Sequence, residues 1–234
     1  DATNIINSDL CVITSVAMDH MQYLGNTIEQ IASEKAGIIK EKVPIVYFNR
    51  NKQVSSIIEE RAKFCKAPLF VVDKGNYMTY DIGDKNIDFS IYTSYYRYDS
   101  LSLKKTGMYQ VENAALAVIA TDIFLDRCIE DNLVREALMD CIWTARMEEV
   151  ADDIYVDGAH NEEAIEAFTD TVSVLYNDKD VYILFAVASD KEYDSMVKLL
   201  CTRIDIKEVI ITAIEGGRTT PVEKVAELFK KYRC

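Results

Sequence analysis

Lys35 occupies a position that helical periodicity assigns to an apolar side chain, and that placement offers chemistry. Thr27 and Gln30 form the T-x-x-Q pattern of a capping box, and Ile28, Ile31, Ala32 and Lys35 follow at i, i+3, i+4 and i+7 on one face. The pattern points Lys35 inward. Desolvation disfavours an ammonium, so a lysine held there finds a carboxylate or becomes a neutral, nucleophilic amine. Addition of carbon dioxide to such an amine gives a carbamate, which turns a cation into a metal-binding anion. His20, at the end of the preceding apolar run, is expected close enough to share that metal. The ordinary use of the same residues is a lysine whose head reaches solvent and a histidine that caps or packs.

A second group of candidates is Asp157-Gly158-Ala159-His160-Asn161, which falls between a strand-like and a helical stretch. The carboxyl edge of an open α/β sheet is where nucleotide sites gather. An aspartate there can accept from ribose hydroxyls, while His160 and the following helix N-terminus can face phosphate oxygens. The competing reading is a turn in which Asp157 and Asn161 cap the helix. Tyr77, Tyr80, Tyr92, Tyr95, Tyr96 and Tyr98 lack the basic interleaving of a stacking platform and read as sheet-packing residues.

The elements that must position these residues follow from the pattern. Leu10 to Val16 reads as a buried strand leading to the His20 loop and the capped helix. Pro44 to Phe48 and Leu69 to Val72 read as strands around a helix over Lys52 to Phe64, which implies a mainly parallel sheet covered by helices. From Tyr77 to Leu103, aromatic and β-branched residues broken by polar tips indicate antiparallel strands. Gln110 to Leu125 and Asn132 to Cys141 carry helical periodicity. After Trp143 to Val150, strand-like runs at Ile154–Val156, Val181–Val187 and Val209–Thr212 alternate with helical stretches, so a second, Rossmann-like sheet is expected from about residue 148.

With 26 basic and 39 acidic residues the net charge of the 234-residue chain is −13, which repels nucleic acid and anionic membranes. No apolar run is long enough to cross a bilayer. Six scattered cysteines without a CxxC pair suit reduced thiols in a cytoplasmic protein.

Read together, Asp1-Ala2-Thr3-Asn4, Ile13-Thr14-Ser15, Asp19-His20, Leu24-Gly25 and Glu34-Lys35-Ala36-Gly37-Ile38 resemble folylpolyglutamate synthase/dihydrofolate synthase, a branch of the Mur ligase family. Gln110-Val111-Glu112-Asn113-Ala114-Ala115-Leu116-Ala117, Trp143 with Arg146, the Asp157 to Asn161 motif and Asp190-Lys191 match in the same order. The resemblance implies an α/β fold: the remainder of a P-loop-type central ATPase domain over residues 1–147 and a truncated Rossmann-like C-terminal domain over 148–234. It implies ATP-dependent addition of L-glutamate to dihydropteroate or a reduced folate. His20 and carbamylated Lys35 would hold Mg2+, Arg146 and His160 the ATP phosphates, Asp157 the ribose, Asn113 the adenine, and Asp1 and Ala2 the pteridine.

The ordinary alternatives are a surface ion pair of Arg146 with Glu148 or Glu149, an Asn113 bonded to nearby backbone, and a frayed Asp1. Asp190-Lys191 has no chemical task beyond a helix cap. The chain has Ala145 where relatives commonly carry glycine before the arginine, and it contains no G-x-x-x-x-G-K-[ST] phosphate loop. The expectation is therefore an inactive piece of a monomeric cytoplasmic ligase, truncated at both ends, whose open sheet edges invite self-association. Two rivals are another amide ligase of the superfamily and a non-catalytic nucleotide- or folate-binding module.

Overall fold

The computed structural model describes residues 4–18, 25–83, 86–104, 107–214, 216 and 219–232. The chain divides into two compact units, Asp1–Ile142 and Trp143–Cys234. Both mix helices and strands, and the fold is α/β.

The first unit is built on a parallel sheet of β1 (Cys11–Ile13), β2 (Ile45–Phe48) and β3 (Leu69–Val72), in the order β1-β2-β3. All four residues of β2 are buried, so the central strand reads as an unbroken apolar run instead of an alternating one. Its alternation still separates two cores. Ile45 and Tyr47 join Cys11 and Ile13 of β1 beneath α1 (Ile28–Ala36) and α2 (Lys52–Phe64), where Ala32, Ala36, Val54, Ile58 and Ala62 pack. Val46 and Phe48 face the other way, toward α3 (Tyr109–Leu125) and an antiparallel sheet.

That sheet, in the order β4-β5-β6, comprises Tyr77–Ile82, Asn86–Tyr92 and Arg97–Lys104. Ile87, Phe89 and Ile91 of its middle strand are fully buried. Helix α3 packs on β2 and β3 and also on β4 and β5. A helix covered on two sides must be apolar nearly all round, and Val111, Ala114, Ala115, Leu116, Val118, Ile119 and Ala120 are all buried. Helix α4 (Asp131–Asp140) lies on β6.

In the second unit a hairpin of β7 (Arg146–Ala151) and β8 (Ile154–Asp157) precedes α5 (Glu162–Leu175), β9 (Val181–Phe185), α6 (Tyr193–Arg203), β10 (Ile206–Ile211) and α7 (Val222–Tyr232). Strands β9 and β10 pair in parallel. Met147, Ile165, Val172, Phe185, Met196, Val197, Leu200, Val225 and Phe229 form the core between them and the helices. Among the described residues β8 is hydrogen-bonded to β7, a strand the sequence reading did not anticipate, and β9 with β10 forms a separate ladder. The polar run Arg146-Met147-Glu148-Glu149 lacks an apolar stripe because β7 buries only Met147. Its pairing with β8 places residues 143–147 in the second unit.

Strand β1 is shorter than the apolar run that announced it, ending at Ile13 and leaving Thr14 to Val16 as a loop. Strand β10 starts earlier than its apolar run, because Lys207 and Glu208 are exposed, Lys207 pairing with Asp180. Cys11 and Cys65 are free and buried, and Cys128 and Cys141 are free.

Candidate functional site

Strand β1 delivers the chain to a loop at the carboxyl end of the parallel sheet, and α1 returns from it. Thr27 caps α1, its hydroxyl accepting from the Gln30 amide at 3.3 Å. Gln30 does not complete a reciprocal box with Thr27. Its Oε1 accepts from the Asn26 amide at 2.8 Å, one residue further out. Gly25 makes this possible: it sits at φ +113°, and a Cβ there would lie 2.5 Å from the Gln30 Cβ. Ile31, Ala32 and Ala36 are the buried face of the helix.

Lys35 lies along that face and is half-buried, as its spacing predicts. Its Nζ donates to the Ser15 carbonyl at 3.0 Å, two residues past the end of β1. The amine is therefore turned toward the sheet's carboxyl end, with an oxygen donor beside it. His20, Asp1 and Ala2 lie outside the described residues. Among the described residues no group of three or more His, Cys, Asp or Glu side chains could hold a metal ion.

At the start of α3, Asn113 is exposed and its Nδ2 donates to the Gln110 Oε1 at 2.7 Å. The partner is a side chain, where the sequence alternative was backbone. Sequence reasoning missed what anchors this turn. Glu112 accepts from the Tyr77 hydroxyl at 2.8 Å and pairs through its other oxygen with Arg50, whose guanidinium stacks 5.3 Å above the Phe48 ring. Burial, then the bond to Glu112, pushes the Tyr77 hydroxyl well above the ordinary phenol range. The signal was available only as Glu112 within the Gln110 to Ala117 motif; Arg50 and Tyr77 are distant in sequence.

In the second unit three predicted residues, Arg146, Asp157 and His160, fall on one hairpin and the loop that follows it. Arg146 opens β7 directly opposite Asp157, which closes β8. Asp157 uses both carboxylate oxygens on main chain: Oδ2 accepts from the Met147 amide at 3.0 Å and Oδ1 from the Ala159 amide at 2.8 Å. Ala145 is clamped in parallel. Its amide donates to the Glu148 carboxylate at 2.7 Å and its carbonyl accepts from the Gly158 amide at 2.8 Å. Of the two glutamates considered as partners of Arg146, Glu148 thus holds a main-chain amide and Glu149 accepts from the Tyr155 hydroxyl at 3.0 Å.

Asn161 is the N-cap of α5, accepting from the Ala164 amide at 2.8 Å. His160 stands exposed just before it, with Nδ1 2.8 Å from the Gly158 carbonyl. A carbonyl can only accept, so Nδ1 donates in this contact, and it is the doubly protonated ring whose Nε2–H could meet an anion. The loop thus presents an imidazole and a helix N-terminus side by side, a geometry that suits an anion. Asp190 and Lys191 precede α6, where the Lys191 amide donates to the Ala188 carbonyl at 3.2 Å in a turn.

Comparison with known proteins adds the family. Residues 1–121, just over half of the 234-residue chain, match the family model described as the Mur ligase middle domain. The chain is 35% identical over 212 residues to a dihydrofolate synthase/folylpolyglutamate synthase of Bacillus subtilis (strain 168), covering 86% of this chain and 48% of that protein. Its fold is similar, with a TM-score of 0.90 at 24% identity, to a Mycobacterium tuberculosis folylpolyglutamate synthase complexed with ADP, covering 99% of this chain and 53% of that one. An Escherichia coli FolC in complex with DHPP and ADP is similar with a TM-score of 0.82 at 26% identity, covering 98% of this chain and 53% of that one. The chain spans about half the length of the curated relatives it matches. On the extent of the middle-domain match and on its α/β fold, the chain belongs to the Mur ligase family.

Proposed function

We propose that this chain is part of an ATP-dependent ligase that joins L-glutamate to dihydropteroate or a reduced folate. The observation that carries the reading is the half-buried Lys35 amine, turned toward the Ser15 carbonyl at the end of β1, in a Mur ligase chain similar to a dihydrofolate synthase/folylpolyglutamate synthase. In this reading a substrate carboxylate oxygen attacks the γ-phosphorus of ATP, the bond to ADP breaks, and an acyl phosphate forms. The glutamate amine then attacks the acyl carbon, phosphate leaves, and an amide results. The protein contributes positioning and charge neutralisation.

The roles follow the family resemblance. The exposed His160 and the α5 N-terminus bind phosphate oxygens, with Arg146 adding a fixed positive charge from the start of β7. Asp157 accepts from ribose through lone pairs beyond those used by the Met147 and Ala159 amides. Asn113 receives the adenine from an exposed position on α3, and Asp1 and Ala2 contact the pteridine. Lys35, once its neutral amine has added carbon dioxide and released a proton, would join His20 in holding Mg2+. The ion would supply neutralisation of phosphate charge. A carbamate suits magnesium's preference for oxygen donors, and the Ser15 carbonyl beside Lys35 is of the same kind.

We assign the first unit, Asp1–Ile142, to the ATPase domain and the second, Trp143–Cys234, to the C-terminal ligase domain, the boundary falling a few residues before the expected one between 147 and 148. The protein is cytoplasmic in this reading, and among the described residues no helix is long and apolar enough to cross a membrane. The test is turnover by the intact enzyme with ATP, L-glutamate and either dihydropteroate or tetrahydrofolate. The expected result is ADP and an amide product in equal amounts with at least one acceptor. ATP consumption without amide, or no turnover with either acceptor, overturns the proposal.

A further inference from the structure

Strand β3 is an edge of the parallel sheet, and among the described residues no strand pairs with its far side. The near side is fixed by the ladder to β2. The Ile45 amide donates to the Pro68 carbonyl at 2.9 Å and the Asn49 amide to the Val72 carbonyl at 2.8 Å, in the register Ile45↔Leu69 to Phe48↔Val72. Parallel pairing engages alternate residues of a strand, so Pro68, Phe70 and Val72 turn their main chain toward β2. Leu69 and Val71 therefore turn their N–H and C=O groups outward, where no described residue bonds them.

A cavity of about 200 Å³ lies against that edge. Leu69 and Val71 form one wall, the β5–β6 turn at Thr93 to Tyr95 another, and Ile119 and Ile123 of α3 add apolar surface. Its polar side chains are largely committed within the protein. Asn76 donates to the Tyr92 carbonyl at 2.9 Å and accepts from the Asp73 amide at 3.0 Å. The Thr93 hydroxyl donates to Asp122 and accepts from the Tyr95 and Tyr96 amides at 3.1 and 3.0 Å. The Tyr95 hydroxyl donates to Asp126 at 2.9 Å. Recognition in this cavity thus falls to the main chain of β3.

The Leu69 carbonyl and the Val71 amide flank Phe70 on one edge, an acceptor beside a donor. The complementary ligand presents a donor beside an acceptor, and an amino group next to a ring nitrogen supplies that pair. A flat ring also suits the apolar surface of Ile119 and Ile123, and the cavity holds a one- or two-ring heterocycle rather than a run of peptide. We propose that this cavity binds an amino-substituted heteroaromatic ring, whose amino group donates to the Leu69 carbonyl while its ring nitrogen accepts from the Val71 amide. Adenine and pterin share this edge, so a free nucleoside and a free pteridine are the two sources. None of the residues given a role in the ligase reading lines the cavity, and the inference stands apart from that reading.

The test titrates the intact protein with pterin, followed by its fluorescence, and with adenosine, followed by calorimetry. Lumazine and N6,N6-dimethyladenosine serve as analogues that keep the rings and lack the amino donor. Val71→Pro removes one outward N–H and no ladder bond, a change that edge strands accommodate. Val71→Thr keeps that N–H, and Ile123→Phe fills the cavity from α3. For at least one of the two rings the dissociation constant rises fivefold or more in Val71→Pro and in Ile123→Phe and stays within twofold in Val71→Thr, and the matching analogue binds at least fivefold more weakly. A response to pterin alone assigns the pteridine source, to adenosine alone the nucleoside, and to both the shared edge. Binding of neither ring, or binding that Val71→Pro or Ile123→Phe weakens less than fivefold, overturns the proposal. If Val71→Pro does not fold, Ile123→Phe and the analogues decide it by the same thresholds.

Discussion

The hydroxyl of Tyr98 donates to Oδ1 of Asp122 at 2.8 Å, and both residues are fully buried. Thr93 donates to the other carboxylate oxygen at 2.8 Å, and the Ile129 amide meets the Tyr98 oxygen at 2.8 Å and Asp122 Oδ1 at 3.1 Å. One carboxylate in the last turn of α3 therefore gathers β6, the β5–β6 turn and the entrance to α4. A buried acceptor stripped of its donor costs roughly 1–3 kcal/mol. Tyr98→Phe is expected to destabilise the first unit by about that amount, read from urea or guanidinium unfolding.

The same phenol gives a pH dependence. Burial, followed by the bond to Asp122, raises the Tyr98 pKa above the ordinary phenol value of about 10. Below that value folded and unfolded chains are both protonated, and stability is unaffected. Above it the unfolded chain releases a proton that the folded chain keeps, so the folded state loses stability as pH rises. Tyr77 shifts in the same direction through burial and Glu112. The unfolding midpoint is expected to fall between pH 9 and about 11, and less steeply in Tyr98→Phe.

Ala145 takes φ +54°, in the left-handed region where a Cβ is strained. The Ala145 amide and carbonyl are both committed, to Glu148 and Gly158, so the backbone is held in that conformation. Ala145→Gly removes a strain of about 1–2 kcal/mol and adds unfolded-state entropy worth roughly 0.4–1 kcal/mol. A net gain of about 0.5–1 kcal/mol is expected in the unfolding free energy of the second unit, and Ala145→Val is expected to lose stability.

Much of the architecture was legible because it is written in local patterns. The helix over Lys52–Phe64 and the strand Leu69–Val72 were read to the residue, since apolar patterning marks both. The β7–β8 hairpin was not, because Arg146 to Ala151 shows no alternation that periodicity can detect. The site was legible in the same uneven way. Lys35 was found from its spacing on α1, whereas its partner, the Ser15 carbonyl, meets it only through a tertiary contact. Asp157 was read evenly as ribose ligand or turn residue, and the structure adds that its oxygens are engaged by main-chain amides.

Lys35 separates the proposed metal-binding role from plain packing. Its stem packs along the buried face of α1, so Lys35→Met keeps most of the apolar contact and is expected to shift stability by less than about 1 kcal/mol. Loss of a charged group that stabilises phosphoryl transfer costs on the order of 100- to 1,000-fold in rate. Lys35→Met is therefore expected to abolish most amide formation by the intact enzyme at near-normal Tm. If its activity stays within threefold of wild type, Lys35 is a packing residue only.

Asp157 carries two roles that a pair of substitutions can separate. Asp157→Ala strands the Met147 and Ala159 amides, which at roughly 1–3 kcal/mol for each unpaired group predicts a loss of about 2–6 kcal/mol in the second unit. Asp157→Asn keeps one acceptor but turns an NH2 toward the other amide, so it should lose about half as much. If the carboxylate also binds ribose, both variants weaken ATP by a further amount that does not scale with lost stability. Nucleotide titration at a temperature where each variant is fully folded isolates that amount. Equal ATP affinity in wild type and Asp157→Asn under those conditions would leave Asp157 as the clamp between β7 and the α5 loop alone.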